Sequence, residues 1–123
     1  MASILRVNTL TDASSNNSTA MSTINQGTAK AWGNLNGSGT IAIKDSNNIS
    51  SITDSGVGQY VFIYTSNMAN DDYAHTCNGS EQVFSPLNAL NTLAGSVRVY
   101  SKNLSDSHID AQEVSVQITG DLA

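Results

Sequence analysis

The sequence predicts an all-β fold, an antiparallel β-sandwich or Greek-key domain with an extended N-terminal arm. Three observations lead there. From residue 27 onward, short runs of alternating apolar and polar residues are separated by Gly, Asn, Asp and Ser clusters that end strands. Gln59 to Thr65, QYVFIYT, sets Tyr60, Phe62 and Tyr64 on one face and Val61 and Ile63 on the other, a strand covered on both sides. Glu113 to Thr119 alternates strictly, with Val114, Val116 and Ile118 inward and Glu113, Ser115, Gln117 and Thr119 outward. A chain of 123 residues has the length of one such domain.

In order along the chain, Ser3 to Leu10 alternates weakly around Leu5 and Val7 and is read as a strand able to pair. Thr11 to Thr23, TDASSNNSTAMST, offers only two alanines and Met21 for burial. Residues 1–25 are therefore expected to form an arm that orders on a neighbour, and residues 26–123 the β-domain. Thr28 to Leu35 is the next strand, with Trp32 expected as core anchor against the Tyr60, Phe62 and Tyr64 face or its back. Gly37-Ser38-Gly39 turns the chain into Thr40 to Lys44, where Ile41 and Ile43 share a face, and Asp45-Ser46-Asn47-Asn48 breaks that run.

Ile49 to Thr53 places Ile49 and Ile52 off strict alternation, which predicts a bulge, and Asp54-Ser55-Gly56 with Gly58 ends it. Tyr73 to Cys77 is a further strand. Asn78-Gly79 after it is the best two-residue hairpin signal, with Gln82 to Phe84 as the expected partner. Pro86 bars a central strand position, and PLNALNTLAG is too short and Asn-rich for more than a helical turn. Val97 to Ser101 and Glu113 to Thr119 close a domain of eight to ten strands.

Composition narrows function. Only 12% of residues are charged and the net charge is -5, so no basic stripe is available for nucleic acid. No apolar run is long enough for a membrane span, and the first residues do not read as a signal peptide, which predicts a chain used without secretion by that route. One cysteine, Cys77, forms no internal disulfide, so packing or assembly must supply stability.

Candidate chemistry is sparse. On a strand His75 and Cys77 share a face and form a possible zinc or Cys/His pair, but no third ligand is evident, and His108 lies far along the chain. The acidic groups, Asp45 with Asp54, Asp71 with Asp72 and Asp106 with Asp110, read as turn and strand-end residues; Ile49 stands where a calcium loop beginning at Asp45 would need a ligand. Six N-x-[ST] sequons, at Asn16, Asn17, Asn36, Asn48, Asn78 and Asn103, follow from composition alone. No nucleophile, phosphate-loop or metalloprotease motif occurs, so no catalytic, cofactor-binding or metal residue is expected.

The segment from Gly27 to Tyr73 carries an ordered set of short motifs: Lys30-Ala31-Trp32, Leu35-Asn36-Gly37, Ser46 with Asn48-Ile49-Ser50-Ser51, Ile52-Thr53-Asp54 and Gly58-Gln59-Tyr60. It resembles a module of tailed-bacteriophage virion proteins, particularly tail-fibre and head-surface proteins of phages that infect cyanobacteria and other aquatic bacteria. A weaker match continues through Asp110, Val114, Val116 and Gly120. Leu35 stands where the pattern has an aromatic, and Gly33 where it has a larger apolar residue, which puts the packing near Trp32 in question. The same residues also read as fold determinants, with Lys30 a charge partner for Asp54, and Asn48 and Asp54 turn formers.

The resemblance implies a non-enzymatic virion surface protein, often trimeric. Only residues 1–25 precede the module here, which favours a capsid decoration or cement protein on the outer head surface, tying capsomers together. The expected partners are the major capsid protein and copies of the chain itself, in a homotrimer or other homo-oligomer, without nucleic acid or membrane. The expected place is the capsid surface of a virion assembled in the host cytoplasm. The alternative is a short tail or fibre component that binds host surface glycans or another virion protein. A second reason to expect assembly is that strand edges with so few lysines (Lys30, Lys44 and Lys102) are poorly protected against pairing.

Overall fold

A computed structural model describes residues 3–84 and 91–123. Its described residues form β1 (Thr9–Thr11), β2 (Ser18–Ala20), α1 (Met21–Gly27), β3 (Ala31–Asn36), β4 (Ala42–Asn47) and β5 (Ile49–Gly56). These are followed by β6 (Gln59–Tyr64), β7 (Ala74–Gly79), β8 (Gln82–Phe84), β9 (Thr92–Leu93), β10 (Ser96–Lys102) and β11 (Val114–Thr119). All pairings are antiparallel, and the domain is an all-β sandwich. One sheet has the order β4-β3-β11-β7; the other runs β5-β6-β10-β8, with β9 also on β10; β1 and β2 form a separate hairpin.

Strand parity decides what each sheet contributes to the core. From β6 come Tyr60, Phe62 and Tyr64, and from β10 Val97 and Val99; Ala31 and Leu35 of β3 and Val114, Val116 and Ile118 of β11 face them. Val61 and Ile63 on the other face of β6 are half-buried. Large rings on one sheet thus meet small and aliphatic side chains on the other. Gly33 shows the fit: a Cβ there would lie 3.1 Å from the Phe62 ring, so the glycine makes room for Phe62.

That parity overturns the placement of Trp32. With Ala31, Gly33 and Leu35 inward, Trp32 must point outward, and it is 38% exposed on the free face of its sheet. Phe62 occupies the core space that the indole was expected to fill.

Polar clamps join the sheets at both ends of β6. At one end Asn48 sits between β4 and β5 in the left-handed region, φ 57°, where the chain leaves one sheet for the other. Its side-chain amide donates to the carbonyls of Lys30 (3.1 Å) and Ser66 (3.0 Å), and its Oδ1 accepts the Ser66 amide (2.7 Å). At the other end the Tyr60 hydroxyl, with its residue wholly buried, donates to the Gly37 carbonyl (2.9 Å) and accepts the Ala111 amide (3.1 Å). Burial, foremost, pushes the Tyr60 pKa above its ordinary value and keeps the hydroxyl a donor. Asp110 accepts the amide of Gly58, which holds a positive φ of 62° with no room for a side chain.

Several other expectations are corrected. Asn78-Gly79 is not a hairpin turn: both residues pair with β11, in the registers Ser115↔Asn78 and Val114↔Gly79, and β8 joins β10 in the opposite sheet. Asp45-Ser46-Asn47 does not break the chain but runs along β3 as edge strand, past an irregularity in register between Asn34 and Leu35. The expected bulge in β5 is present, with register shifts at Ile49/Ser51 and again at Asp54/Gly56. Edge strands β4 and β5 are therefore both irregular, a form of protection that lysine counting overlooks. The Ser3 to Leu10 strand shrinks to β1. Pro86 and the start of its predicted helical turn lie outside the described residues, while the end of that stretch contributes β9.

Two substitutions test this account by chemical denaturation. Tyr60→Phe strands the Ala111 amide and the Gly37 carbonyl in the core and is expected to cost about 1–3 kcal/mol. Trp32→Ala, on the outer face, is expected to cost less than about 1 kcal/mol; a loss of ~3 kcal/mol or more, as for a buried tryptophan, would place the indole inside.

Candidate functional site

Two surfaces stand apart from the packed sandwich. The first is the N-terminal segment. Ile4 is 73% and Leu5 81% exposed, and Val7 and Leu10 are partly exposed, so among the described residues this aliphatic stretch is left largely uncovered at Ile4 and Leu5.

Thr11 to Thr23, expected to lack structure of its own, instead holds a hairpin and the start of a helix. Strands β1 and β2 pair Thr9↔Ala20, Leu10↔Thr19 and Thr11↔Ser18. Asp12 organises the turn between them: its carboxylate accepts from Ser14 Oγ (2.9 Å), the Asn16 amide (3.0 Å) and the Asn17 side-chain amide (2.7 Å). The Asn17 and Ser14 side chains hold the Asp12 pKa below its ordinary value of 3.8, although the group is exposed. Sequence reading missed this network; its signal was Asp followed by Ser and Asn at turn spacing.

Helix α1 spans the expected boundary at residue 25 and is tied to the sandwich from both sides. Gln26 Nε2 donates to Asp121 (2.6 Å), and the Lys30 ammonium donates to the Asn25 carbonyl, to Asn25 Oδ1 (2.9 Å) and to Thr28 Oγ1 (3.0 Å). Lys30 therefore serves the C-terminal turn of α1, where carbonyls lack partners, and not Asp54 as expected. Asp54 accepts the Gly56 amide within its own turn.

The second surface is the outward face of the β4-β3-β11-β7 sheet. Register aligns two rows across it: Asn47, Trp32, Gln117 and Thr76 in one, Asp45, Asn34, Ser115 and Asn78 in the other. Trp32, Asn34, Thr76, Asn78, Ser115 and Gln117 line an open depression of about 610 Å³. Ser115 leans onto the next strand, donating to the Asn78 carbonyl (3.3 Å), and Asn34 Oδ1 is buried without a hydrogen-bond partner among the described residues.

The residues weighed for chemistry do not converge. Among the described residues no three His, Cys, Asp or Glu side chains come together. His75 and Cys77 are half-buried on β7, with the Tyr73 ring edge-on to His75 at 6.1 Å. His108 instead lies beside Tyr100, at 5.5 Å. Asp106 pairs with Lys102 (2.7 Å), whose ammonium lowers its pKa. Asp45 and Asp54 stand on opposite sheets. No helix among the described residues is long and apolar enough to cross a membrane.

Comparisons with protein-family models, with curated proteins and with solved structures each returned no match.

The Asp12 turn yields an acid test. Because the folded carboxyl is held below 3.8, its contribution to the hairpin is present above that value and is lost as pH falls through the lower, folded value. Amide exchange across residues 9–20 should therefore stay protected until acid stronger than an ordinary aspartate requires. Asp12→Ala should open the same amides at neutral pH and leave those of β3, β6, β10 and β11 unchanged.

Proposed function

We propose that this chain is a non-enzymatic structural protein of a tailed-phage particle: a decoration or cement protein on the outer surface of the head, attached through its N-terminal segment. The observation that carries the reading is the aliphatic stretch in which Ile4 and Leu5 are largely uncovered and Val7 and Leu10 partly so, outside the core of the sandwich. Such a segment is unfavourable in water and gains by burial against another chain. The module resemblance over Gly27 to Tyr73 supplies the virion setting and the non-enzymatic role.

On this reading, attachment and folding are separate tasks. The sandwich needs nothing from residues 3–10 to fill its interior, and those residues can lie on the major capsid protein or on a neighbouring copy, completing a homotrimer as the resemblance implies. An extended segment that adds its backbone to a neighbour's sheet would satisfy its donors and acceptors while burying its apolar side chains.

Ile4→Ser combined with Leu5→Ser is expected to abolish retention on purified particles while leaving the melting temperature of the free protein unchanged. Normal retention of the double variant would reject the anchor. Gel densitometry of wild-type particles should give a copy number near that of the major capsid protein; a few tens per particle would place the chain in the tail instead.

A further inference from the structure

We infer that the outward face of the β4-β3-β11-β7 sheet is a binding site for neutral saccharides, with Trp32 as its stacking platform. This rests on the face alone and is independent of how or where the protein attaches.

The chemistry of the face selects the ligand class. Tryptophan presents a large rigid apolar surface at little entropic cost, and the C–H faces of a pyranose ring are its natural complement. Around it, Asn34, Asn78, Gln117, Thr76 and Ser115 supply amide and hydroxyl groups, each able to donate and accept, as sugar hydroxyls also do. None of the residues lining the depression is charged, and the charged residue within the two rows, Asp45, is negative. Next to the rows, the Lys44 ammonium is already engaged by Glu113 at 2.6 Å, so an anionic glycan would meet a neutralised cation and the Asp45 and Glu113 carboxylates, a setting that favours uncharged sugars over sialylated or sulfated ones.

Dimensions agree. Strands about 4.8 Å apart set Trp32 and Thr76, two strands away in the same row, roughly 10 Å apart, the reach of a disaccharide. The depression of about 610 Å³ lies within the roughly 300–1,000 Å³ of small-ligand sites.

Because Trp32 is the one tryptophan of the chain, its fluorescence reports this face and no other. The full-length protein is titrated with a panel of neutral gluco-, galacto- and manno-configured oligosaccharides, with sialylated and sulfated ones as controls, and the variants are followed by calorimetry. At least one neutral oligosaccharide is expected to shift the emission saturably. Trp32→Ala should weaken that sugar at least tenfold at an unchanged melting temperature, Asn34→Ala and Gln117→Ala each several-fold, and Trp32→Phe should keep part of the affinity. The inference is overturned if no neutral sugar in the panel shifts the emission, if acidic sugars bind as well as neutral ones, or if Trp32→Ala retains affinity. The serine variants of the N-terminal segment should bind sugar normally, so failure of the anchor and failure of this site are told apart.

Discussion

Strand β6 is held to the opposite sheet at both of its ends, and the rest of the sandwich is arranged around that double attachment. At its start the Tyr60 hydroxyl is shared between Gly37 and Ala111; past its end Asn48 ties Lys30 to Ser66. Between these two points Phe62 fills the space above Gly33. Direction and register of the facing sheets are thereby fixed by hydrogen bonds, while apolar contact supplies the bulk of the free energy. A domain with one cysteine and few charges has little else with which to specify a single alignment.

What the sequence revealed follows where a strand's own alternation was decisive. Strands β6 and β11 carry apolar residues on one parity over their whole length, so inward and outward faces were legible without a partner. In β3 the parity was set from outside: Leu35 and the Phe62-filled space over Gly33 turn that side inward, and tryptophan's size misled because bulk alone does not choose a face. Asn78-Gly79 carries strong local turn chemistry, yet pairing with Ser115 and Val114 moves the actual change of direction further along. Helix α1 was invisible for a related reason. It buries none of its residues and has no side-chain cap at its start, and its ties to the rest come from Asp121 and Lys30, distant in sequence or beyond its end.

The two candidate surfaces differ in how far they could be read in advance. The uncovered aliphatic segment is plain in the sequence as apolar residues placed ahead of a polar stretch. The two rows on the outer sheet face become a surface only when register sets Trp32 beside Gln117 and Asn34 beside Ser115, pairs more than eighty positions apart. Such a site has no linear motif. Its members are ordinary outward residues of three strands, made neighbours by topology.

The pairing of β3 with β11 also dictates when the protein can fold during its own synthesis. These strands lie side by side at the centre of one sheet, yet the whole of the other sheet is encoded between them. A nascent chain emerging from the ribosome can form the β3–β4 and β5–β6 hairpins early, but Ala31 and Leu35 stay open to solvent until Val114 to Thr119 have been translated and released. Closure is thus a late, long-range event with a high loop-closure cost, and the half-made domain spends its synthesis with one apolar sheet face exposed to whatever it encounters.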